Sequence, residues 1–388
     1  MKNKLTVISL LVIVICFIVA MGLFLWNRAY PDIPTCFDNS PDLQSYRSTP
    51  SAKTTTDFMK TPQISVANIE NLVELHSFET PDNHVSTLAI SSDNTFVVTS
   101  YTNQSPKIFD LESGGTTPVS DVKSVESIAI SPDNKLLAFY NYEGNIALWD
   151  IPRRTLIASW DVGHTSNTNT VQFSSKGDLI FSSGKSVYLC NFASKKNQKL
   201  FDNISQARLA DIIFNSRQNN LVYSTTGDND SGGRAEIGIW NFDSPDNRQS
   251  FDLNKSNTLI NAIAVSLDGR RIASVSTDDS VNFIDTQTGM ILPTIAIKNS
   301  SSPTNNDYDI ALNMDGSLMV IGNRPDVGYR TKGEKGHLAF WDVNKRSLIQ
   351  TIDAHAQEIT SLIFDTTGNL IISGSLDGTV KVWGIKSP

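Results

Sequence analysis

Residues 355–383 read HAQEITSLIFDTTGNLIISGSLDGTVKVW. The stretch divides into three short strands, 359–365, 370–375 and 379–383. Thr367-Gly368-Asn369 closes the first strand and Asp377-Gly378, a strong short-hairpin signal, closes the second. Leu370-Ile371-Ile372 is apolar on both sides of the pleat, so both faces of this sheet must be covered by neighbours. Three strands cannot do that for themselves. The chain has to supply copies.

Seven copies of the first turn stand in register: Ser91-Ser92-Asp93-Asn94, Ser131-Pro132-Asp133-Asn134, Ser174-Ser175-Lys176-Gly177, Asn215-Ser216-Arg217-Gln218, Ser266-Leu267-Asp268-Gly269, Asn313-Met314-Asp315-Gly316 and Asp365-Thr366-Thr367-Gly368. They are 40, 43, 41, 51, 47 and 52 residues apart. The third strand of each copy ends on a bulky or apolar residue: Phe109, Trp149, Cys190, Trp240, Ile284, Trp341 and Trp383. A repeat of this length with four strands per unit is the pattern of β-propeller blades. The stretch 72–78 alternates like a strand with no first three strands before it, while the last copy stops after its third strand. The strand at 72–78 is therefore predicted to complete the seventh blade from outside, closing the ring and removing exposed sheet edges.

On these residues the chain resembles the WD-repeat β-propellers over roughly 63–388. The resemblance implies a structural hydrogen-bond network of His355, Ser373, Asp377 and Trp383 in the last blade. Elsewhere the motif is degraded: the third copy keeps Gly163-His164 but has Cys190 in the Trp position, and the fifth keeps Ser274 and Asp278 but has Ile284. The expected fold class is all-β, a seven-bladed propeller of four-stranded blades. The resemblance also implies a protein-interaction scaffold, because most members offer a surface and do not catalyse.

Residues 5–26 carry no charge and would span about 33 Å as a helix, enough for a hydrocarbon core of ~30 Å. Lys2 and Lys4 precede the run and Arg28 follows it, which places a four-residue tail (1–4) in the cytoplasm and the propeller outside, on a single-pass signal anchor. A cleaved signal peptide is the competing reading. The apolar run is longer than such peptides use, and no small-x-small site follows it. Cys16 lacks the small residues expected before a lipidated cysteine. Residues 27–62, with Pro31, Pro34, Pro41, Pro50 and Pro62, read as a linker, either a partly extended tether or a peptide laid along the propeller.

Forty acidic against 32 basic residues give a net charge of −8, which argues against a nucleic-acid footprint. Of the three cysteines, Cys16 falls in the apolar run, Cys190 reads as a small core residue, and Cys36 reads as a linker thiol that could join two chains. No CxxC or Cys/His metal spacing, nucleophile elbow, HExxH or phosphate loop occurs. Residues 228–233 resemble a calcium loop but have Ile239 where its twelfth-position glutamate belongs. No catalytic, cofactor-binding or metal residue is assigned.

Three insertions stand out: 225–236, 323–337 and 298–309. All belong to loops that emerge on one side of a propeller, over blades four to six, and such insertions often mark a binding face. Arg234, Tyr308, Arg324, Tyr329, Arg330 and Lys332 would supply cationic and aromatic anchors there for a protein partner. The other class left open is an enzyme or small-ligand propeller using the central channel: a hydrolase, a lyase or a quinone-dependent dehydrogenase.

Overall fold

Seven four-stranded antiparallel sheets follow one another along the chain. The computed structural model describes residues 36, 61–80, 84–102, 104–163, 169–184, 186–202, 208–226, 235–242, 248–253, 260–297, 308–323 and 335–386. Blades one to six occupy 85–118, 125–161, 171–202, 208–252, 260–296 and 308–355, each running from an inner to an outer strand. Blade seven takes its three inner strands from Ile359–Phe364, Leu370–Ser375 and Thr379–Ile385. Its outer strand is Leu72–Glu79, paired antiparallel with the last strand from Leu72 opposite Ile385 to Glu79 opposite Thr379.

Apolar second strands explain why the blades must stack. Leu370–Ser375 is buried at every position, whereas the outer strand Thr155–Asp161 is exposed or half-buried throughout. The buried side chains form seven clusters, one at each seam between neighbouring blades. At the seam of blades five and six, Val275 and Phe283 pack with Ile310 and Ile321. At the closing seam Phe78, Val380 and Val382 pack with Val97 and Phe109 of blade one. Each fully buried side chain of this kind contributes roughly 1.5–3 kcal/mol, so stability is spread around the ring.

The repeated turn between first and second strands has a local cause. Its Ser or Asp accepts from the backbone: Ser91 Oγ from Thr95 N and Phe96 N, and Asp365 Oδ1 from Asn369 N and Leu370 N. Its fourth residue takes a left-handed backbone, φ 59° at Asn94 and Asn134 and 76° at Gly368, which Asn and Gly adopt at least cost. Neighbouring turns then meet. Ser92 N donates to Asn134 Oδ1 (2.9 Å), Asn94 Nδ2 to Asp365 Oδ2 (2.5 Å) and Asp268 N to Met314 O (2.9 Å). These turns, with those between third and outer strands, define one side of the ring, the turn face. The hairpins between second and third strands and the links between blades lie at the opposite strand ends, the loop face.

Among the described residues, contacts at two places fasten the N-terminal part of the chain to the turn face. Ile64, 1% exposed, donates its N–H to Gly368 O (2.8 Å), and a short 3-10 turn at Ile69–Asn71 leads into the closing strand. The other contact overturns the reading of both cysteines. Cys36 and Cys190 form a disulfide with Cα atoms 6.0 Å apart. Cys36 is fully buried, and its N–H donates to Lys195 O in the turn between third and outer strands of blade three. Cys190 is thus not a lone core residue, and Cys36 is not a spare thiol. The pair was hidden because the partners are 154 positions apart in the sequence and only closure of the first three blades brings them together.

The apolar run 5–26 and the linker apart from Cys36, Thr61 and Pro62 lie outside the described residues. Among the described residues no helix is long and apolar enough to cross a membrane.

Candidate functional site

In the last blade the four motif residues lie within one buried hydrogen-bond relay. Trp383 Nε1 donates to Ser373 Oγ (2.9 Å), and Ser373 Oγ lies 2.7 Å from His355 Nε2. His355 Nδ1 lies 2.7 Å from Thr379 Oγ1, which donates to Asp377 Oδ1 (2.6 Å). Each hydroxyl can donate only once, so the assignment that satisfies all of them has Ser373 donating to His355 Nε2 and His355 Nδ1–H donating to Thr379. Asp377 ends the relay. It also accepts from Thr379 N and Ala356 N (both 2.8 Å), tying the hairpin to the segment that enters the blade. Thr379 was not singled out from the sequence; its position two residues after the Asp, where the turn returns to the strand, was the available signal.

Burial opposes ionisation of Asp377, but hydrogen bonds from His355 and Thr379 outweigh it and hold the carboxyl well below the usual carboxylate range. With a depressed folded-state pKa, its contribution to stability is present above the ordinary value of 3.8 and is lost as pH falls below it. Asp377→Ala is expected to cost ~1–3 kcal/mol at neutral pH, with a smaller difference in acid. Thermal melts at both pH values check it; an unaltered midpoint would remove the relay from the stability account.

The degraded copies leave this chemistry unfinished. Ser274 Oγ in blade five, Ser224 Oγ in blade four and Trp149 Nε1 in blade two are buried without a hydrogen-bond partner. His164 of the third copy lies outside the described residues.

The proposed anchors on the loop face divide similarly. Arg234, Arg324, Tyr329, Arg330 and Lys332 lie outside the described residues, while Tyr308 opens the inner strand Tyr308–Leu312 of blade six at its loop-face end. The strands bearing the insertions are described: Asn220–Thr226 and Glu236–Asn241 in blade four, Leu318–Asn323 and Gly336–Asp342 in blade six. Both insertions, and the link between blades five and six, are rooted at the loop face.

A family model for the WD domain, G-beta repeat, matches residues 72–110 and 346–384. Each match begins with the outer strand of one blade and ends with the third strand of the next, which is the offset that blade seven shows. The guanine nucleotide-binding protein subunit beta of Saccharomyces cerevisiae is 23% identical over 339 residues, 78% of this chain and 77% of that one. The chain is a WD-repeat β-propeller. Shorter matches join this WD-repeat propeller to the target of rapamycin complex subunit LST8-1 of Arabidopsis thaliana, 28% identical over 119 residues (30% of this chain, 34% of that one). Striatin of Homo sapiens is 37% identical over 57 residues, covering 15% of this chain and 7% of its own.

The WD-repeat propeller also carries acidic residues on its inner strands that sequence reading passed over. Asp309 of blade six accepts from Leu362 N of blade seven (2.6 Å), and Asp211 of blade four is hydrogen-bonded to the Ile263 backbone of blade five. Ser127 of blade two does the same with a hydroxyl, accepting from Val171 N of blade three (3.2 Å). The acids thus staple adjacent blades. Burial pushes Asp211 up to about 7, with the Ile212 amide opposing and the negative Asp309 reinforcing the shift. An acid whose folded-state pKa is raised loses stability as pH rises from its ordinary value of 3.8 through about 7. Asp211→Asn should abolish that decline and be more stable than wild type in mild alkali. The gain is on the order of 1–2 kcal/mol, allowing for water on its half-buried side. Denaturant midpoints across the pH range measure it, and parallel curves for the two proteins would refute the assignment. Among the described residues no group of three or more His, Cys, Asp or Glu could hold a metal.

Proposed function

We propose that this propeller is a membrane-tethered, non-enzymatic scaffold that works outside the cytoplasm and presents its loop face to a protein partner. The observation that carries the reading is the disulfide. Stable disulfides belong to oxidising compartments, and Cys36 stands ten residues beyond the uncharged run 5–26. An anchor through that run, with two lysines on its short side, leads to the same compartment. Both fastenings of the N-terminal part lie on the turn face, so the long insertions 225–236 and 323–337 are rooted away from the tether. Two relatives are by name subunits, one of a guanine nucleotide-binding protein and one of a target of rapamycin complex, which supports a role in assembly.

Affinity capture from detergent-solubilised membranes tests the binding face. The full chain should recover a partner that chains trimmed in 225–236 and 323–337 do not, and equal recovery would remove the site from the reading. Protease access to a C-terminal tag in intact cells tests the compartment, and digestion only after permeabilisation would reverse the topology.

A further inference from the structure

Charge is divided between the two faces. The turn face projects Arg154, Lys176, Lys196, Arg217, Arg346 and Lys386, all exposed, from turns of blades two, three, four, six and seven. Several acids of these same turns are buried and occupied with backbone: Asp150 accepts from Arg153 N (2.7 Å) and Asp342 from Lys345 N (2.9 Å). The exposed acids Glu70, Asp110, Glu112 and Asp315 sit on this face at blades seven, one and six. The described part of the loop face, by contrast, exposes Asp121, Glu143, Asp161, Asp278 and Asp353 against Lys123 and Lys335, the latter paired with Asp353. Among the described residues of a protein of net charge −8, the exposed cations are thus more numerous on the turn face.

Apolar side chains join them. Met290 (61% exposed) precedes and Ile291 (46%) begins the outer strand of blade five, and Leu348 (46%) and Ile349 (37%) lie at the start of the outer strand of blade six. All four follow turns of the turn face, at the rim of adjacent blades. Large apolar side chains bordered by arginine and lysine fit the boundary between acyl chains and anionic headgroups. The tether constrains the same face. Cys36 is bonded to its blade-three edge, and the ten residues from 26 to 36 can span at most about 35 Å.

The geometry points to the turn face, from blade two round to blade six, as a docking surface for an anionic bilayer. It rests on the membrane-tethered reading above. Docking would hold the disc flat, with Met290, Ile291, Leu348 and Ile349 in the interface and the loop face directed away from the lipid.

The test uses the full chain in vesicles of phosphatidylcholine alone or mixed with phosphatidylglycerol, each containing a photoreactive lipid, with crosslinked peptides mapped by mass spectrometry. Crosslinks at 290–291 and 348–349 are expected, several-fold more abundant with phosphatidylglycerol. Combining Arg154→Glu, Lys196→Glu and Arg346→Glu should reduce them about tenfold or more while crosslinks within 5–26 persist. Crosslinks confined to 5–35 would overturn the docking and leave the tether intact. Crosslinks at both rims in a chain that alkaline carbonate strips from the vesicles would uphold the docking and overturn the tether. Equal crosslinking in the two lipid mixtures would overturn the anionic assignment.

Discussion

Reducing the Cys36–Cys190 disulfide should destabilise the propeller by about 2–5 kcal/mol, and Cys36→Ser or Cys190→Ser should do the same. The bond closes a long loop, its ends 154 positions apart in the sequence, so it restrains the unfolded chain strongly. In the native state it also completes the seam between blades two and three, where Cys36 packs in the cluster of Tyr140, Phe181 and Phe192. The double variant should be no less stable than either single one, because each removes the same bond. Calorimetry with and without reductant measures the effect. A wild-type midpoint indifferent to reductant, with the thiols shown to be free, would contradict the assignment.

Deleting Leu72–Glu79 should be more damaging still. The strand supplies the whole outer ladder of blade seven, and without it the edge of Thr379–Ile385 is exposed. Phe78 is lost as well; it is 5% exposed and its ring centroid lies 4.7 Å from that of Phe109 in blade one. Phe78→Ala alone is expected to cost about 3–5 kcal/mol, and the deletion should exceed it and promote edge-to-edge association. Urea unfolding followed with light scattering distinguishes the two variants. If the deleted chain unfolds at the full chain's midpoint and stays monomeric, the ring is not closed by this strand.

The relay in blade seven shows how far local sequence reaches. His355, Ser373, Asp377 and Trp383 were readable because the hairpin Asp377-Gly378 and the alternating strands set their spacing within a single unit. Thr379, which carries the proton-donor chain from His355 to Asp377, emerges only from the distances. Ser274 keeps the motif's identity but not its bonds, since a hydroxyl without a His or Trp beside it has nothing to join. The anchors of the loop face could be named by composition alone, and of these only the strand position of Tyr308 is described.

By itself the sequence determined the strand-and-turn unit, its sevenfold recurrence and the use of an early strand to finish the last blade. Turn residues and apolar alternation act over a few positions, and a repeated local rule needs no knowledge of distant partners. Only the tertiary structure decided that Cys36 meets Cys190, that Asp211 and Asp309 staple neighbouring inner strands, and that exposed cations of five blades share the turn face. These pairings join residues far apart in the chain. Their energies exist only after the ring has closed, so no spacing along the sequence can encode them legibly.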